Sequence, residues 1–136
     1  MATYTKFQSF VEALAEKSHN LGGDTLTVAL TDTAPSASTD TVLADIVEAT
    51  YTNLSARAIT TSTSAQTAGT YKLVLTDLVL TASGAVGPFR YVVVYNDTAT
   101  NDELIAYYDY GSSISLSSGE TFTIDFDASN GFLQIA

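Results

Sequence analysis

The sequence predicts a mainly β fold: an antiparallel β-sandwich, jelly-roll-like, with about seven or eight strands and one short N-terminal amphipathic α-helix. Three observations predict it. Large apolar residues alternate with Thr and other polar residues in segment after segment, the period-two pattern of half-buried strands. Clusters of Gly, Asn, Asp and Ser separate these segments at the spacing of a sandwich. Only one stretch, residues 7–17, carries helical periodicity. With 136 residues and 46% hydrophobic content, the chain is long enough for one core and too apolar for disorder. It reads as a single domain over 1–136, an arm and helix over 1–22 followed by a sandwich over 23–136.

In the helix, Phe7, Phe10, Val11 and Leu14 follow i, i+3, i+4, i+7 spacing and form one apolar stripe. Thr5 is the expected N-cap with Gln8 in the capping-box position, and Gly22 the expected left-handed stop. Three turns are too few to be stable alone, so the stripe must dock on the chain's own sheet or on a neighbouring subunit. After Gly22 and Gly23 the period changes to two, with Leu26, Val28 and Leu30 alternating with threonines. Residues 33–40 form a surface loop in which Pro35 blocks strand continuation, and 41–53 fits a helical turn or a short strand. Residues 57–66 are polar and β-branched, which predicts an edge strand or one covered by a partner.

Residues 71–80 predict the longest strand, with a bulge near Thr76 and Asp77 or burial of both faces, because the apolar parity shifts between Leu75 and Leu78. Residues 84–87 are a turn, and the nearly continuous apolar run 89–95 is a central strand. A polar loop over 96–102 leads to a strand over 104–110 that Gly111 closes. Residues 121–127 alternate cleanly, with Phe122, Ile124 and Phe126 inward, and a turn over 127–131 leads to a terminal strand over 132–135.

Composition excludes several functions. Fifteen acids against five bases give a formal net charge of −10, so the chain is expected to repel nucleic acid and anionic lipid headgroups rather than bind them. Without cysteine there is no disulfide framework and no thiolate zinc site. No window approaches a membrane span, and the first ten residues lack the apolar core of a signal peptide. The expected place of synthesis is therefore the cytoplasm.

Candidate chemistry is sparse. His19 is the lone conventional base, placed at a helix end where positive charge suits the dipole, and no nucleophile-elbow pattern accompanies it. Asp125, Asp127 and Asn130 before Gly131 resemble a calcium loop only superficially, because the later ligands and bidentate Glu are missing. The simpler reading makes Asp127 an acceptor of backbone N–H groups, with Asn130 and Gly131 in left-handed turn positions. Tyr91, Tyr95, Tyr107, Tyr108 and Tyr110 fall on neighbouring strands, where they pack across strands or stand exposed for a sugar or a protein. Two glycosylation sequons, at Asn53 and Asn96, carry no weight without secretion. The expectation is a non-enzymatic protein with no catalytic, cofactor or metal residues.

Several segments look familiar together. The runs 4–12 (YTKFQSFVE), 24–31 (DTLTVALT), 41–46 (TVLADI), 64–75 (SAQTAGTYKLVL), 87–97 (GPFRYVVVYND) and 124–127 (IDFD) resemble a family of small structural proteins of tailed bacteriophages. The resemblance spans most of the chain. It implies a virion component, and among small β-rich ones a capsid decoration (cement) protein. Such a protein is made in the host cytoplasm and sits on the outer shell, often as a homotrimer. Its partners are the major capsid protein and its own copies, and no catalytic residue carries over. On this reading the helix residues Phe7, Phe10, Val11 and Leu14, and Ile59, Thr61 and Thr63 of the polar strand, lie at subunit interfaces. Two alternatives stand beside it: a head or tail fibre module binding host glycan through exposed tyrosines, and a tail-tube or adaptor ring protein. A β-sandwich lyase or hydrolase ranks last, for want of a base-and-acid constellation.

Overall fold

The computed structural model describes residues 2–136. Ten strands and one helix follow in order: β1 (Thr3–Lys6), α1 (Ser9–Ala15), β2 (Leu26–Thr31), β3 (Ala58–Ile59), β4 (Thr61–Thr67), β5 (Thr70–Leu75), β6 (Leu78–Thr81), β7 (Val86–Asn96), β8 (Leu104–Leu116), β9 (Thr121–Ile124) and β10 (Leu133–Ile135). All pairings are antiparallel. A five-stranded sheet runs β1-β8-β7-β2-β3, and two smaller sheets, β10-β5-β4 and β6-β9, lie across from it. The fold is mainly β and sandwich-like, as the alternation predicted.

The core lies between these layers. Val28, Leu30, Val92, Val94 and Ala106 of the large sheet pack with Leu73, Leu75, Leu80 and Ile124 of the small ones. Each is nearly or wholly buried, and burying such a side chain stabilises by about 1.5–3 kcal/mol. A second cluster lies on the other face of the large sheet, where Ala29, Val93, Tyr95 and Leu104 meet Phe7 and Ile46. Both faces of β2 and β7 are therefore covered, which is why Thr27 and Thr31 are buried and the predicted half-exposed strand is buried throughout.

Several expectations are corrected. The helix is seven residues, not eleven; Thr5 lies in β1, and the N-cap position falls to Gln8, which makes no side-chain cap. The left-handed turn after it belongs to Lys17 (φ 70°), not Gly22. The predicted strand 71–80 is two strands in different sheets: the parity shift marks the chain leaving β5 at Thr76 and Asp77 to join another sheet as β6. Together with β1 and the division of 57–66 into β3 and β4, this raises the strand number to ten. Gly111 does not end its strand. At φ 85° it sits in an irregular stretch where β8 carries extra residues against β7, its N–H bonded to Asp109 Oδ1 at 2.8 Å, and pairing resumes at Ile114 with Phe89.

Candidate functional site: two sheet margins and an aromatic cleft

Strand β4 has the sequence TSTSAQT, without a charge, and all of it beyond Thr61 is exposed. It pairs only with β5 and so forms the outer margin of its sheet. Natural edge strands are usually blunted by Lys, Pro, a bulge or a cover, because open N–H and C=O groups recruit other strands. Here a single irregularity, between Thr61 and Thr63, is the only such device along the strand.

β1 is the outer margin of the large sheet. Phe7 N–H donates to Ile105 O at 3.0 Å, in register with the Thr5–Tyr107 and Thr3–Asp109 pairs. Antiparallel alternation therefore turns the backbone groups of Tyr4 and Lys6 away from the sheet.

Beside β1 opens a cleft of about 710 Å³, lined among others by Tyr4, Tyr108, Tyr110, Phe132, Asp125 and Asp127. Register places Tyr4 opposite Tyr108 on the inner face of the large sheet, and Phe132 reaches them from the opposite layer just before β10. Their rings meet edge to face: Tyr4–Tyr108 at 5.6 Å and 64°, Tyr4–Phe132 at 5.6 Å and 86°. Tyr108 also packs against Tyr110 and Phe126. Such pairs contribute about 0.5–1.5 kcal/mol each beyond burial. Burial pushes the phenols of Tyr4 and Tyr110 up to about 12 and raises that of Tyr108, with Asp125 and Asp127 adding to the rise at Tyr108. All three are protonated hydrogen-bond donors at neutral pH.

Asp127 behaves as the turn reading expected. Its Oδ1 accepts the N–H of Ser129 (3.1 Å) and Asn130 (3.0 Å), and its Oδ2 accepts Asn130 Nδ2 (2.9 Å). The Asn130 contacts lead in holding its carboxyl below the usual range. The left-handed positions fall on Asp127 (φ 39°) and Gly131 (φ 81°), however, and not on Asn130. A Cβ at Gly131 would lie 2.8 Å from Leu73 O, so glycine is required there twice over. Among the described residues, no group of three or more His, Asp or Glu stands ready to hold a metal.

His19 is 6% exposed and packs on Phe10. Asn96, fully buried, lies with Nδ2 2.9 Å from His19 Nδ1 and donates to Asp24 Oδ2 at 2.7 Å. Asn96 Oδ1 accepts the N–H of Thr98 and Ala99. Because Asn96 donates, His19 Nδ1 accepts, and the proton of the neutral ring sits on Nε2. Burial lowers the His19 pKa, outweighing the opposing pull of Glu103 and Asp24. His19 is thus part of a buried clasp that fixes the residues after α1 to the end of β7, and Asn96 is no surface sequon.

The residues assigned to subunit contacts divide. Phe7 (0%), Phe10 (3%) and Ile59 (7%) are buried in the chain's own core, which corrects their assignment to an interface: Phe7, ahead of the helix, and Phe10, within it, pack into two separate core clusters. Val11 and Thr63 are exposed, and Leu14 and Thr61 half-buried. Of the tyrosines, Tyr91 and Tyr95 are buried, and Tyr107 packs on Phe7 and Tyr91. Only Tyr108 and Tyr110 reach the cleft. Tyr4, Phe132 and Asp125 were missed as its partners, because nothing local shows that the chain's two ends meet; the alternation of Tyr4 with Thr3 and Thr5 was the available signal. No protein family, curated protein or solved structure matches the chain.

Proposed function

We propose that the protein is a non-enzymatic virion structural component, a capsid decoration protein that binds the major capsid protein and copies of itself on the head of a tailed phage. The resemblance in sequence supplies the identity of the assembly. The observation that carries an assembly role is β4: a seven-residue sheet margin, uncharged and exposed beyond Thr61. Such a margin favours strand addition, in which main-chain hydrogen bonds give the affinity. The net charge of −10 fits an outer coat that keeps particles apart and does not compete for packaged DNA.

Lysines on the exposed strand test this. Thr63→Lys with Ala65→Lys leaves the fold intact, with a stability change within about 0.5 kcal/mol, and abolishes co-sedimentation with phage heads and self-association by light scattering. Unchanged head binding and unchanged mass sink the β4 interface. Density confined to the tail in electron micrographs of virions refutes decoration.

A further inference from the structure

We propose that the cleft between β1 and the 127–132 turn receives an extended segment of a partner protein, which pairs with the outward backbone of Tyr4 and Lys6 and lays an Arg or Lys side chain against the aromatic wall of Tyr4 and Tyr108, beside Asp125. The partner's identity as a capsid component rests on the function proposed above; the chemistry of the site does not.

Three observations converge on a basic side chain. The cleft carries two carboxylates, Asp125 and Asp127, and no Lys, Arg or His among its lining residues. Asp127 is held ionised by the turn it caps and by Lys72, whose Nζ donates to Ser129 O in the same turn, so the attraction for a further cation rests chiefly on Asp125 and on the strongly acidic chain as a whole. The field there draws in a cation and repels an anion. The rings stand at 64° and 86° to Tyr4 rather than coplanar. At 5.6 Å between centroids the rings fill one another's edges and form one aromatic wall of the cleft, and Tyr4, 39% exposed, presents that wall to a cation beside Asp125. Finally, the site adjoins an unpaired strand. On a strand added to β1, the residue opposite Tyr4 shares the inner face with it and leans over the cleft. Lys6, the one cation on β1, does not line it.

The test uses the full chain and two synthetic peptides, TVRVT and TVQVT, followed by NMR shifts and by their salt dependence. The arginine peptide is expected to bind about tenfold more tightly than its glutamine counterpart. Its shifts should fall on Tyr4, Tyr108 and Phe132, and its affinity should drop as salt rises. Asp125→Asn, at an exposed position, should remove most of that preference without unfolding the protein, and Tyr4→Ala should do the same. Equal affinity for both peptides overturns the proposal, as does arginine binding that Asp125→Asn leaves unchanged. So does a neutral oligosaccharide that shifts these residues where the arginine peptide does not. Absent peptide binding with intact head binding fails this site alone; peptide binding with no head binding fails the decoration reading and leaves the site standing.

Discussion

At one side of the large sheet, β2 runs on beyond the two residues of β3, and the backbone groups that no strand pairs are met one by one. Val28 N–H donates to Arg57 O, and Val28 O accepts from the Arg57 guanidinium. Leu30 N–H donates to the Tyr51 hydroxyl at 3.0 Å, while Leu30 O accepts Ala49 N–H at 2.7 Å. Tyr51 donates onward to Glu48, and the Arg57 guanidinium stacks 3.7 Å from the Tyr51 ring centroid. At the other side, β1 has an aromatic cleft and, among the described residues, no such cover. The same sheet thus seals one margin with the backbone and side chains of a loop and leaves the other available. Sealing takes dedicated residues from a loop that must fold over the strand; the open margin needs only a strand anchored well enough not to fray. A margin with satisfied donors and acceptors offers a new strand nothing, so the strand addition proposed for this sheet is on its β1 side.

The anchoring of the open margin is tested most severely at Phe7, which is wholly buried and directly follows β1. Phe7→Ala is expected to cost about 3–5 kcal/mol in denaturant unfolding and to speed hydrogen exchange along β1 before that of β2. A loss below about 1 kcal/mol, or equal acceleration of both strands, means that β1 is held by something else. The sealed margin responds less. Tyr51→Phe strands the Leu30 N–H without its acceptor and is expected to cost about 1–3 kcal/mol. Arg57 remains stacked there, so retention of full stability shows that the hydroxyl does not seal the edge.

The smallest effect concerns the His19 clasp near the β2–β7 pair. Its folded pKa lies below the ordinary 6.5 because burial disfavours the charged ring. The unfolded chain therefore binds the proton more readily, and the contribution of His19 is complete above 6.5 and lost as pH falls through that value toward the folded one. His19→Gln should flatten the stability profile between 6.5 and the carboxylate range near 3.8, where Asp45, Asp109 and Asp127 begin to act. An unchanged slope in thermal melts across that window rules His19 out as its source.

Local pattern revealed much of this. The alternation of 26–31 and 121–126 and the apolar run 89–95 specify strands whichever partners they find, because a two-residue period has only one way to bury a face. The polar run 57–66 announced an edge, since little in it repays burial. Other features were illegible because their cause lies far along the chain. Phe7 and Phe10 share one stripe in the sequence, yet Phe7 precedes the helix and the two rings enter separate core clusters; only the position of the sheet decides that. The clasp joins His19 and Asp24 to Asn96, more than 70 positions away, and no spacing rule connects them. The cleft joins β1 to residues just before β10 in the same way.

The sequence by itself determined the class of the fold, the acidic charge and the edge character of β4, since each depends on composition or on neighbours a few residues apart. Tertiary structure alone decided that Phe7 and Phe10 are core, that residues 71–80 pass between two sheets, and that Tyr4, Tyr108 and Phe132 share a cleft with Asp125. Those outcomes depend on which strands become neighbours, and pairing across a hundred residues is set by the summed burial of the whole core rather than by any segment within it.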